Sequence, residues 1–325
     1  MPTAPPSTAT RRALTIALLA LAVAAWLAAG ALAARERYLL RGIPALPEPI
    51  PQGGATAGVN VYLADAGEAE MKATLADVRA TGVTDVKQTF AYRADFDWAA
   101  ADRLLRAAAA ESLTVVPLLD GDPAMAYAPP DPAAFAAWAG AFAARYGDLV
   151  DAYIIWDEPN LAAHWGGAAA NPNAYAALLS AAAAAIRAAD AVATMVAAPL
   201  APTTEAGPAN LSEVAFLRAL YEAGAAEAFD VVAVKPYGFD SGPDDRRVDA
   251  NVLNFSRAIL VRELMEALGD GATAGWAGNW GGNSLPADWS GAPSIWGQTT
   301  TEAQAAQTMA ALERARREWP WMGRM

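Results

Sequence analysis

The segment DAYIIWDEPNLAAHWG, residues 151–166, carries the densest set of reactive side chains in the chain. An apolar run from Tyr153 to Trp156 ends on two adjacent carboxylates, Asp157 and Glu158, and His164 follows. A carboxyl held in a pocket that shifts its pKa is a common proton-transfer group. The plain alternative is that two acids after a strand are solvated, or cap the next helix. His164 is the only histidine, which excludes a histidine-rich metal site and leaves no spare imidazole for a Ser-His-Asp triad. The absence of cysteine removes disulfides, thiolate metal sites and cysteine nucleophiles together. With Lys+Arg 23 against Asp+Glu 35, the formal net charge of −12 gives no support to phosphate-backbone binding, so nucleic acid is not expected as a partner.

The elements that would position these residues alternate regularly from residue 57 onward. Strand candidates at 58–63, 83–92, 114–119, 152–156, 193–199, 230–237, 272–278 and 319–325 are separated by alanine-rich helix candidates at 67–81, 98–112, 132–146, 172–190, 211–228, 253–268 and 299–318. Several helices open on a capping residue or proline, as in DP at 131, NP at 171 and NLSE at 210. Strict alternation implies right-handed crossovers and a parallel sheet, and eight strands imply an α/β (β/α)₈ barrel. No GxGxxG or GxxxxGK[ST] follows the first strand, which removes the main support for a dinucleotide-binding sheet. The eighth candidate ends at Met325 with no helix after it, which reads as a truncated chain.

Ahead of the barrel, Arg11 and Arg12 precede an uncharged run from Ala13 to Ala34. At ~1.5 Å per residue that run covers ~30 Å, the thickness of a bilayer core. The expected organisation is a cytoplasmic region at 1–12, a signal anchor or signal peptide at 13–34, a Pro/Gly-rich spacer at 35–56, and the barrel at 57–325. The ALA at 31–33 would also suit a signal peptidase, so a secreted form stands beside the anchored one. Either way the barrel is expected outside the cytoplasm, with the membrane as partner through the N-terminal helix.

In a parallel barrel the active face lies at the C-terminal ends of the strands. There the string WDEPNLAAHW, with KPYGF at 235–239 and GWAGNWGGN at 275–283, resembles the clan of retaining (β/α)₈ glycoside hydrolases, most closely family 39 and family 5-type enzymes. The resemblance spans residues 57–325. It implies hydrolysis of O-glycosidic bonds in a β-linked oligo- or polysaccharide, with Glu158 as general acid/base. It also implies a second carboxyl about 5–5.5 Å away as nucleophile.

The departures from the clan bear on activity. Its asparagine before the acid/base is Asp157 here, and its strand-seven glutamate falls on Asn279, or less well on Gly278. No acid lies between Asp270 and Asp288. Lys235 takes the clan's strand-six histidine position, and Tyr237 keeps the hydroxyl that touches the nucleophile. An amide cannot attack an anomeric carbon as a carboxylate does, so a carbohydrate-binding protein without hydrolysis stands as the alternative. An inverting enzyme would need another acid about 6.5–9.5 Å away. Asp120, Asp122, Glu205, Asp240 and Asp288 follow strands, and of these Glu205 or Asp240 is the expected base.

Asn160, His164 and Trp165 are expected to contact the sugar, as are Lys87 near the end of strand two, Lys235 and Tyr237. Trp276, Trp280, Trp289 and Trp296 cluster in 275–297, and indoles stack on the apolar faces of sugar rings. Trp276 and Trp280 are therefore placed among the ligand contacts. Arg93 could pair with Asp157, Arg246 and Arg247 read as a solvated loop, and NLS at 210 matches the glycosylation pattern. The carboxyl mechanism carries its own acid and nucleophile, so no metal or organic cofactor is expected.

Overall fold

The computed structural model describes residues 7–39, 41 and 54–325, in two units, Met1–Arg41 and Gly42–Met325. The first consists of helix α1, Thr8–Leu39. Over Thr8–Tyr38 this helix is long and apolar enough to cross a membrane, by length and composition. It continues past Ala34 through RERYL, because nothing in that pentapeptide breaks a helix. Residues 35–39 therefore belong to the helix rather than the spacer, and most of the remaining spacer, 42–53, lies outside the described residues.

In the second unit β1 (Gly58–Val61), β2 (Asp85–Ala91), β3 (Thr114–Asp120), β4 (Ala152–Ile155), β5 (Thr194–Ala197), β6 (Val231–Val234) and β7 (Ala274–Ala277) form one sheet in sequence order. Every pairing is parallel. The helices are α2 (Glu68–Ala80), α3 (Trp98–Ala110), α4 (Pro132–Tyr146), α5 (Pro172–Ala189), α6 (Glu213–Glu222), α7 (Ala258–Ala267) and α8 (Thr301–Glu318). Asp97, Asp131, Asn171, Ser212 and Thr300 cap helices α3, α4, α5, α6 and α8 through their side chains, each accepting from a backbone N–H of the first turn. In the NLSE segment the cap is thus Ser212, two residues after Asn210.

The expected eighth strand is not a regular one. Residues 321–325 instead make isolated parallel bridges, Thr56 with Arg324 and Gly275 with Met322. On one side Gly275 N donates to Trp321 O at 2.9 Å and Ala277 N to Arg324 O at 2.8 Å. On the other, Thr56 N donates to Gly323 O at 2.9 Å and Met325 N to Thr56 O at 2.8 Å. The terminal segment thereby joins β7 to the entry of β1 and closes the ring. Two glycines allow this approach: a Cβ on Gly275 would meet the Trp321 ring at 2.8 Å, and one on Gly323 would meet Trp276 Nε1 at 2.5 Å.

Apolar side chains fill two layers. The larger lies between sheet and helices and includes Phe90, Phe142, Tyr153, Trp156 and Trp319; the smaller lies inside the ring. Three of the eight buried residues inside are alanines, Ala152, Ala233 and Ala274, where barrels usually carry bulky branched side chains. A cavity of about 260 Å³ remains, lined by Val116, Ile154, Val196, Ala233, Trp276 and Lys87 among others. Arg324 sits beside it, its guanidinium 4.5 Å from the Trp276 ring centroid and bonded to Asp151 at 3.0 Å. Arg246, expected in a solvated loop, instead bonds Glu318 of α8 at 2.7 Å, whereas Arg247 stays exposed against Asp245.

Candidate active site

The turn after β4 is built by its backbone. Trp156 and Glu158 adopt left-handed φ values of 71° and 48°, unusual for residues with a Cβ and characteristic of functional sites. The surroundings hold this conformation in place. Trp156 is fully buried, donates from Nε1 to His164 O at 3.0 Å, and packs edge-on against Trp165. Gly121 leaves room for it, since a Cβ there would lie 2.7 Å from the indole. Glu158 N donates to Pro199 O after β5, and Asp157 N to Asp120 Oδ1 at the end of β3. Neighbouring strand ends thus aim both carboxylates.

Lys235, the residue after β6, lies between them. Its Nζ is 2.8 Å from Asp157 Oδ1, 3.0 Å from Asp157 Oδ2 and 2.6 Å from Glu158 Oε1. Its side chain is 2 % exposed. Burial opposes the charge, but the two carboxylates outweigh it and hold Lys235 above the ordinary lysine range. The amine is therefore kept as an ammonium counter-ion and not as a nucleophile. His164 Nε2 approaches Glu158 Oε2 at 3.3 Å, and its ring stacks on Tyr127 at 4.6 Å. Ligand atoms of Asp157, Glu158 and His164 lie within 4.8 Å of one another, as a metal site would require. The Lys235 ammonium, however, already supplies the positive charge to both acids.

A second lysine meets the β7 end. Lys87 Nζ donates to Gly278 O at 2.6 Å and to Asn279 Oδ1 at 2.7 Å. Burial, reinforced by Lys235, pushes this amine down to about 8 against the pull of Asp157. Asp120 is 3 % exposed, and burial with the nearby Asp157 charge pushes its carboxyl up to about 7. Tyr237 is pushed up to about 12 by burial and meets Phe239 edge-on. A cleft of about 560 Å³ opens over β1–β4, with Asp120, Asp157, Tyr127, His164 and Tyr62 in its walls.

Of the residues expected to contact a ligand, Asp157, Glu158, His164 and Lys235 are in direct contact, and Lys87 with Asn279 forms the neighbouring pair. Asn160 is fully buried, and its amide is taken up by backbone: Nδ2 donates to Ala201 O and Leu211 O, and Oδ1 accepts from Ala201 N. Its role is to pin the loop after β5. Trp165 is 3 % exposed between Trp156 and Tyr175, a core position. Trp276 and Trp280 line the cavity inside the ring and not the cleft beside Asp157. Arg93 pairs with Asp122 at 2.9 Å instead of Asp157. Glu205 accepts from Asn210 at 2.9 Å in the loop after β5, and the third acid against the pair is Asp120. Tyr127 and Tyr62 were not legible in the sequence as site residues. Asp120 carried the same signature as Asp157, an apolar run ending on an acid.

The fold is shared with solved glycoside hydrolases. A glucosidase from Croceicoccus marinus superposes with a TM-score of 0.59 at 18% identity, over 77% of this chain and 54% of that one. An endo-1,4-beta-mannanase from Rhizomucor miehei gives 0.52 at 11% identity, over 74% and 82%. A beta-glucuronidase from Parabacteroides merdae gives 0.51 at 11%, over 83% and 33%. The chain thus spans about half the length of the glucosidase and a third of the glucuronidase. No protein-family model and no curated protein matches it. At these identities the likeness is one of fold, a (β/α)₈-like glycoside hydrolase barrel with one regular strand fewer.

Proposed function

We propose that this chain is an extracytoplasmic carbohydrate-binding protein on a glycoside hydrolase barrel, tethered or exported through α1, that holds a β-linked saccharide without cleaving it by double displacement. The observation that carries this reading is a pair of lysine contacts, at the two positions that the sequence resemblance marks as catalytic. Lys235 is bonded to Glu158, the acid/base by that resemblance, and Lys87 to Asn279, the nucleophile position by the same resemblance. Retention requires a carboxylate to attack the anomeric carbon, and the loss of a residue that acts in such a unit removes several powers of ten in rate. Asp157 offers acceptors to a sugar hydroxyl, but both its oxygens already face Lys235.

A second reading keeps hydrolysis of the O-glycosidic bond, with Glu158 as proton donor and a buried acid activating water. It is favoured by Asp120, whose carboxyl burial and the Asp157 charge push up to about 7, a useful value for proton transfer. The test is turnover of aryl β-glycosides with good leaving groups by the full chain and by Glu158→Gln, alongside oligosaccharide binding. Binding without turnover supports the first reading. Turnover that drops in the variant supports the second, and a folded chain that neither binds nor cleaves sinks both.

A further inference from the structure

Of the chain's three lysines, Lys87 alone has no carboxylate bonded to it among the described residues. Lys72 is exposed on α2 and bonded to Glu68 at 2.6 Å, and Lys235 is held between Asp157 and Glu158. Lys87 Nζ instead meets two uncharged acceptors, Gly278 O at 2.6 Å and Asn279 Oδ1 at 2.7 Å. A neutral amine has two N–H groups and one lone pair. These two acceptors take both N–H groups and leave the lone pair free, whereas an ammonium would carry a third N–H with no acceptor among the described residues. The surroundings act in the same direction: burial drives this amine down to about 8, and Lys235 adds to the fall, against the pull of Asp157, Asp120 and Glu158.

The second observation is the space that Lys87 lines. The cavity of about 260 Å³ inside the ring has Val116, Ile154, Val196 and Ala233 on its walls, together with the indoles of Trp276 and Trp280. Gly278, whose carbonyl holds Nζ, lines it as well. The charged side chains that share these walls with Lys87, Asp85 and Arg324, are paired with each other at 3.3 Å. Lys87, Trp276 and Trp280 are half-buried, so part of their surface remains accessible. A desolvated amine beside a second cation, at the edge of a largely hydrocarbon cavity, is the setting in which a lysine acts as a nucleophile toward a carbonyl group.

We propose that Lys87 binds a small apolar aldehyde inside the ring, covalently and reversibly, as an imine. The Nζ lone pair adds to the carbonyl carbon, and the resulting carbinolamine loses water. The C=N bond forms, the C–O bond breaks, and both amine protons leave with the carbonyl oxygen, so no oxidant, reductant or second substrate is needed. The apolar walls take the hydrocarbon part of the aldehyde, which gains by leaving water. Lys235 does not compete, because the two acids beside it keep it an ammonium. The cavity is separate from the cleft beside Asp157, so this site goes beyond the saccharide reading and does not depend on it.

The test is reductive trapping on the full chain, with benzaldehyde or glyceraldehyde and cyanoborohydride, the labelled lysines being located by peptide mass mapping. At about pH 7 an amine titrating at about 8 holds roughly two powers of ten more of its neutral form than one at the ordinary lysine value. Confinement takes part of that advantage, so benzaldehyde should label Lys87 at least about tenfold faster than Lys72, with Lys235 unlabelled. The ratio of Lys87 to Lys72 labelling should fall several-fold with glyceraldehyde, whose hydroxyls the apolar walls do not satisfy. Ala233→Leu, which narrows the cavity, should slow labelling of Lys87 and leave Lys72 unchanged. Labelling of Lys87 no faster than Lys72 overturns the inference, as does an equal ratio with both aldehydes or a folded Ala233→Leu chain labelled as fast as its parent. The two-aldehyde comparison uses the unsubstituted chain and stands even where the variant does not fold. Calorimetric binding of benzoate with no imine trapped at Lys87 also overturns it, since the cavity would then take a carboxylate paired with an ammonium.

Discussion

Replacing Lys235 with methionine tests the electrostatics of the candidate site most directly. The substitution keeps most of the side-chain volume and removes the charge, which sits 2.6 Å from Glu158 and 2.8 Å from Asp157. The lysine side chain is 2 % exposed, while Asp157 and Glu158 keep 18 % and 17 % of their surface. Removing one partner of a buried ion pair destabilises by roughly 3–5 kcal/mol, because the opposite charge is left uncompensated. Residual hydration of the two carboxylates places the expectation near the lower bound, about 3 kcal/mol. For a domain of this size that is a fall in Tm of about 6–12 °C. The sign with pH is fixed. In the unsubstituted chain the folded lysine lies above its unfolded value, so its contribution is complete below the ordinary lysine pKa and fades only in strong alkali. Thermal melts of both proteins at neutral pH measure the deficit, and one under about 1 kcal/mol would refute the view that Lys235 is the counter-ion of the pair.

Three other outcomes follow from the same geometry. Asp120 has a folded pKa of about 7 against 3.8 for the free side chain, so its protonated form favours the fold and its contribution is lost as pH rises through about 7. Asp120→Asn should flatten the stability profile over that window in urea titrations, and an unchanged slope would count against the burial argument. Asn279→Glu places a carboxylate beside Lys87 Nζ, and aryl β-glycoside turnover should rise by about tenfold or more with retained anomeric configuration. A folded variant with no turnover would mean that Asn279 does not stand at the nucleophile position. Arg324→Ala removes contacts to Asp151 and Asp85 and the guanidinium over Trp276, and a loss of about 2–4 kcal/mol is expected in chemical denaturation. A loss under about 1 kcal/mol would show that the ring does not depend on this closure.

Most of the barrel was legible because its signal is local. Each strand is a short apolar run, and five of the barrel's helices open on a side-chain cap the sequence displays, as at Asp131 and Asn171. The eighth strand was legible as a run but not as a state. WPWMGRM combines a proline and a glycine with two large indoles, so it closes the ring by isolated bridges instead of a continuous ladder. The site was half legible, for a different reason. Asp157, Glu158 and Lys235 follow strands directly, where the barrel's geometry fixes which way the chain exits. Asn160 and Trp165 lie beyond a turn whose left-handed residues, Trp156 and Glu158, reverse the chain, and residue type alone does not reveal which of them the reversal turns inward.

Trp276 could have been placed from register. Strand residues alternate faces, and Ala233 and Trp276 are paired in the same row, as are Val231 and Ala274. Val231, Ala233 and Ala274 fill the interior of the ring, so Trp276 must point there too. That placement links fold to function. With alanines inside the ring, the indole and the Arg324 guanidinium occupy part of the space that larger aliphatic side chains would fill, and Lys87 extends along the cavity to Asn279. A glutamate at residue 279 would bring an acid to that amine and restore the pairing that burial now opposes. The two lysines therefore differ in kind: Lys235 is held charged by the acids it separates, while Lys87, bonded to a carbonyl and an amide, is the one whose charge a single substitution just after β7 would secure.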